Sequence, residues 1–329
     1  MNKRLEYIDL AKGIGIIFII AYHLRILPTY LPHLSGACVP LFFILSGLFF
    51  NESDKFKLFV TKKVNTILIP FLFFYIVSYI AFYIVESWSP GLIKTQAKGI
   101  LDLFTQEDYF NGPIWFLLSL FWDFIILWIV FNVVQSNFLR FICVSAITFI
   151  GLMLSRYNVF LPLKLAPAFS CSMFLYFGTV FKRCGALNIV SKKLSLEFAI
   201  GFFSIAVGLN YFFAPVYLEL YNNTIVGNAI VNYLIVISFT LGVIYVCKTI
   251  GHLPLFSYFG KYSIIPLCLH HIVYRPILLV CNTFPYPVIN NRITVKIMTI
   301  IIIWILMPVC LKLIPWFCGK KPMIRFEYA

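Results

Sequence analysis

The sequence predicts an all-α fold: a polytopic membrane bundle of about ten transmembrane helices, both termini cytoplasmic, forming one domain over 1–329. Three observations lead there. The 329 residues are 61% hydrophobic and only 12% charged, with a mean hydropathy of +0.94, whereas an ordinary soluble domain carries about 25% charged residues. The apolar residues fall in runs separated by charged residues or by Pro, Gly and Asn, as a chain crossing hydrocarbon must arrange them. The basic residues sort by side. With the N-terminus inside, most of the 26 Lys and Arg residues flank the inner helix ends, among them Lys3, Arg4, Lys12, Lys55, Lys57, Lys62, Lys63, Lys182, Lys261 and Lys320.

The spans are expected at 11–27, 36–50, 66–85, 114–134, 139–155, 168–181, 197–213, 228–247, 263–281 and 294–314. The first is closed by Pro28, and the second carries Ser46 and Gly47, small enough for close helix packing. The third follows the inner Lys55–Lys63 cluster. The longest break, 86–113, lies outside and contains a modestly amphipathic stretch, Leu92 to Phe104, suited to the interface. The fourth span buries Asp123, and the ninth holds His270 and His271 with Arg275 one turn on. Tyr75, Trp88, Trp304 and Trp316 suit interfacial anchoring. Glu6 and Asp9 with the run Tyr22-His23-Leu24-Arg25 argue against a cleaved signal peptide, so the first span is read as retained.

The net charge of +14 does not point to nucleic acid, because the basic residues sit on helix flanks, where they meet anionic lipid headgroups. Membrane lipid is therefore an expected partner and nucleic acid is not. The nine cysteines show no CxxC pair and lie largely within apolar runs, which disfavours a disulfide framework or a zinc site.

Lys12 and His23 stand out, because ionisable groups inside a span are costly and therefore candidate functional groups. Eleven residues apart, they project from one helix face and lie roughly 16 Å apart along the axis. A neutral imidazole is suited to act as a general base on a hydroxyl. Lys12 alone reads as a snorkelling lysine, and Asp9 is placed to pair with it. Lys62 and Lys63 belong to a topological cluster that can also meet phosphates. Adjacent residues on a helix point about 100° apart, so His270 and His271 are poorly placed to chelate one ion, and no metal is expected. Asp123 is expected to pair with a cation or to orient a histidine.

Arg4-Leu5-Glu6-Tyr7-Ile8-Asp9-Leu10-Ala11-Lys12-Gly13-Ile14, Lys12 and His23 with ten residues between them, Phe42-Phe43-Ile44-Leu45-Ser46-Gly47, Gly112-Pro113-Ile114-Trp115-Phe116-Leu117 and Gly260-Lys261-Tyr262-Ser263 before His270 together resemble the acyltransferase-3 family of integral membrane acyltransferases. The resemblance is to its compact O-acetyltransferases acting on bacterial surface polysaccharides such as O-antigen, and it runs from the first span to the ninth. Where many members carry two arginines three apart before the third helix, this chain has Lys63 and Thr66.

The resemblance implies transfer of an acetyl group from cytoplasmic acetyl-CoA to a sugar hydroxyl of a surface glycan or lipid-linked oligosaccharide, at a bacterial inner membrane, with no permanently bound cofactor. It casts His23 as the catalytic residue and Lys12, Lys62 and Lys63 as donor-binding, with Asp9, Ser46, Trp115, Asp123 and His270 in support. Direct transfer and an acyl-histidine relay both remain open. On composition alone a multi-span transporter or flippase of a lipid-linked sugar is the alternative, although no internal repeat is evident.

Overall fold

The computed structural model describes residues 5–26, 32–88, 90, 104, 111–283 and 292–325. Every predicted span falls on a helix. These are α1 (Glu6–His23), α2 (Pro32–Gly47), α4 (Ile69–Trp88), α5 (Trp115–Val133), α6 (Asn137–Arg156), α7 (Leu165–Arg183), α9 (Ser195–Phe213), α10 (Ala229–Ile250), α12 (Ile264–Thr283) and α13 (Arg292–Leu313). Among the described residues, eight helices are long and apolar enough to cross a membrane. The stretch Leu92 to Phe104 lies outside the described residues, apart from Phe104.

Three short helices and a hairpin were not foreseen. Helix α3 (Phe56–Lys63) runs through a π turn, Val64–Leu68, into α4, and α8 (Ala186–Ile189) and α11 (Pro254–Lys261) cover one end of the bundle. Strands β1 (Tyr217–Glu219) and β2 (Thr224–Val226) pair antiparallel, Leu218 opposite Ile225. The hairpin is tied down through Asn223, whose Nδ2 donates to Gly151 O at 3.0 Å and whose Oδ1 accepts from Ser170 Oγ at 2.7 Å.

Burial divides the bundle into centre and rim. The spans containing α5 and α7 are each 72% buried, against 11% for α9 and 22% for α6 and α13. The rim helices therefore turn apolar faces such as Val207, Phe212 and Ile305 outward, as lipid contact allows. At the centre, α2 and α7 cross almost backbone to backbone. A Cβ on Gly47 would lie 2.1 Å from Leu175 O, and one on Gly178 would lie 1.9 Å from Ile44 O, the small-residue contact that lets membrane helices approach. Phe43 packs edge-on to Phe116 at 5.1 Å, joining α2 to α5. Arg140 on α6 donates to Phe131 O (2.8 Å) and Val134 O (2.6 Å), capping the carbonyl end of α5. All nine cysteines are free.

Candidate active site

The end of α1 fixes His23. Arg25 takes a left-handed conformation (φ 52°), while Arg25 N donates to Tyr22 O at 2.8 Å and Ile26 N to Ala21 O at 2.8 Å. This pair of bonds is a Schellman ending, and Lys296 on α13 reinforces it by donating to Arg25 O at 2.6 Å. His23 is thereby held at the last helical position.

Opposite it, α12 presents both of its adjacent histidines. Ring centroids lie 5.3 Å apart for His23 and His270, 5.0 Å for His23 and His271, and 4.8 Å for His270 and His271. The expected divergence of His270 and His271 therefore needs correcting. Their Cα directions differ, yet both rings swing to meet His23, and His271 joins a group from which it had been omitted. His270 is fully buried, with Nδ1 3.0 Å from Pro266 O. A carbonyl only accepts, so Nδ1 carries the proton and a neutral His270 keeps its lone pair on Nε2. Within the described residues that Nε2 and the Nδ1 of His271 have no hydrogen-bond partner in the protein.

Ligand atoms of the three imidazoles lie within 4.8 Å of one another, close enough to consider a metal ion. Three imidazole nitrogens are a donor set that zinc accepts in catalytic sites, and the next charge along α12 is the cation Arg275. The same rings, with ring nitrogens of His270 and His271 unpaired among the described residues, also suit proton handling.

A small apolar cavity of about 50 Å³ reaches His23, lined also by Ile19, Phe42, Trp115, Phe116, Ser263 and Ile264. A second cavity, of about 760 Å³, opens at the other end of α1, with Asp9, Lys12, Phe49, Lys182, Gly260, Lys261, Tyr262 and Lys320 in its wall. Four lysines face one carboxylate there, so the cavity is cationic. Ser263 and Ile264, at the joint between α11 and α12, line both cavities. The wall closes because α11 lies directly on α1. A Cβ on Gly260 would stand 1.7 Å from Asp9 O, and one on Gly13 would stand 1.8 Å from Phe256 O.

The expected residues divide accordingly. Lys12 lies in the large cavity with Nζ 4.9 Å from the Phe49 ring centre, and Asp9 is beside it. Trp115 and His23 lie in the small one, and His270 stands against His23. Lys62 and Lys63 are brought to neither. Lys62 Nζ pairs with Asp54 Oδ2 at 2.7 Å, and Lys63 Nζ sits 3.4 Å above the Phe124 ring. Ser46 lines neither cavity. Asp123, fully buried, accepts from Ser172 Oγ at 2.6 Å; its partner is a hydroxyl, where a cation or histidine was expected.

Sequence reasoning missed Lys182, Lys261 and Lys320 as a group. Each had been counted among inner helix flanks, and Gly260-Lys261-Tyr262-Ser263 had been noted, but their convergence needs the fold.

The family model described as an acyltransferase domain, acyltransferase-3, matches residues 5–315, from the residue before α1 to just beyond α13. No curated protein and no solved structure matches the chain.

Proposed function

Since the chain belongs to the acyltransferase-3 family and is a multi-pass membrane acyltransferase, we propose that it moves an acetyl group from acetyl-CoA to a sugar hydroxyl of a surface polysaccharide or lipid-linked glycan such as O-antigen. One observation carries this reading: Ser263 and Ile264 are shared by a lysine-lined cavity and by the cavity at His23. The phosphates of CoA meet Lys12, Lys182 and Lys261. The pantetheine arm runs past Ser263 and delivers the thioester carbonyl to the histidine end. There His23 takes the proton of the acceptor hydroxyl as its oxygen adds to the carbonyl carbon. The tetrahedral intermediate collapses with cleavage of the C–S bond, and the imidazolium returns its proton to the departing CoA thiolate.

His270 supports this role. With Nδ1–H committed to Pro266 O, its Nε2 is an acceptor facing the cluster, able to orient a His23 N–H. In a bacterial inner membrane with both termini inside, the lysine end faces the cytoplasm, where acetyl-CoA is made.

The test is direct. Purified protein receives labelled acetyl-CoA and isolated glycan, comparing wild type with His23→Ala. Transfer by wild type and its loss in the variant is the expected result. Transfer at the wild-type rate by His23→Ala overturns the catalytic assignment. Movement of glycolipid across vesicles without any acetylation overturns the reaction itself in favour of a transporter.

A further inference from the structure

Past α13, and past the family match that ends at 315, the chain turns back beneath the bundle. Phe317 stacks on Phe73 at 4.0 Å between ring centres, and Cys318 is fully buried. Gly319 adopts φ 66°, where a Cβ would come within 2.9 Å of Thr66 O. The next residue, Lys320, enters the wall of the large cavity, and its Nζ donates to Lys261 O at 3.0 Å.

The anchor of this strap is Asn65, buried within the π turn Val64–Leu68. Its Oδ1 accepts from Met323 N (2.7 Å) and Ile324 N (2.9 Å), and its Nδ2 donates to Ile324 O (3.0 Å). One side-chain amide thus replaces a backbone partner for two successive residues of the strap. A π turn carries one residue more per turn than the flanking α-helix and is often found at functional sites. Here it presents Asn65 to the strap.

We infer that residues 314–325 are a phosphate-binding subsite, in which Lys320 beside Lys261 takes a phosphate of the nucleotide end of the acyl donor and Asn65 acts as its positioning residue. This inference rests on the proposed acetyl-CoA reading for the identity of the donor. The location suits it, because a thioester directed at Ser263 leaves the nucleotide at the mouth, where Lys320 is exposed. An anionic lipid headgroup offers the same phosphate chemistry, and the experiment separates the two.

Full-length protein in zwitterionic phosphatidylcholine nanodiscs is assayed with acetyl-CoA and with acetyl-N-acetylcysteamine, a thioester without phosphates. Binding of 3′,5′-ADP is measured by calorimetry. Lys320→Ala and Asn65→Ala are expected to raise KM for acetyl-CoA and Kd for 3′,5′-ADP about tenfold, the size of one lost charge-assisted contact, leaving KM for the short thioester in place. Lys320→Arg restores both. An equal change with both thioesters, or none with either, overturns the subsite. Lys320 is exposed, so its alanine variant keeps the test valid even if Asn65→Ala unfolds. Binding of 3′,5′-ADP that ignores Lys320, with phosphatidylglycerol retention that depends on it, assigns the lysine to lipid and overturns the donor role. No transfer from either thioester by wild type, with Lys320-dependent binding of 3′,5′-ADP intact, defeats the catalytic reading and leaves the subsite standing.

Discussion

His23 combines three properties: a fixed helix-end position, two imidazole neighbours, and contact with a cavity. Replacing it with Gln keeps the volume and removes the base. His23→Gln is expected to lower kcat by about 10² to 10⁴-fold, the usual range for general base catalysis, with KM for acetyl-CoA unchanged, as initial-rate kinetics will show. Lys12 and Lys62 form the matching contrast. Lys12→Ala raises KM for acetyl-CoA several-fold, whereas Lys62→Ala leaves it within twofold, because Lys62 is held by Asp54 away from the cavity. The pairing of Lys12 with His23 was legible from the sequence, because helical periodicity alone puts both on one face. The approach of His270 and His271 to His23 was not, since it depends on α1 meeting α12 and on how two adjacent rings turn. Lys62 and Lys63 misled for a related reason. Clustered charge marks a membrane side, but the partner that claims each lysine, Asp54 or Phe124, is fixed only by the fold.

At the scale of elements, the long helices were legible because hydropathy over some twenty residues is a strong signal. Helix α11 was not, being eight residues long. Yet α11 shares the wall of the large cavity with α1, seated by a reciprocal contact of Gly13 with Phe256 O and Gly260 with Asp9 O. Backbone atoms cannot yield as side chains do, so Gly260→Val must push α11 off α1. Overpacking of this kind costs about 1–3 kcal/mol or more. A lower thermal unfolding midpoint and loss of transfer are expected, read by size-exclusion chromatography of heated samples together with the acetylation assay. Gly208, whose Cβ would meet nothing within 4 Å, is the control: Gly208→Ala leaves both readouts in place.

Across the whole molecule, the two cavities sit toward opposite ends of α1 and converge on Ser263 and Ile264. Under the proposed acetyl transfer, donor and acceptor approach from these two ends, and only the acyl group and the pantetheine arm pass the joint of α11 and α12. A bulky side chain at that joint should separate the halves. Ser263→Trp is expected to abolish acetyl transfer while 3′,5′-ADP binding at the lysine end persists, a combination that calorimetry and the transfer assay measure together. The central claim concerns sidedness, and reconstituted proteoliposomes test it. With labelled acetyl-CoA confined to the lysine face and glycan acceptor confined to the other, acetylated glycan is expected on the acceptor side, with His23→Gln vesicles as the blank. Acetylation that occurs only when donor and acceptor share one compartment would contradict the account.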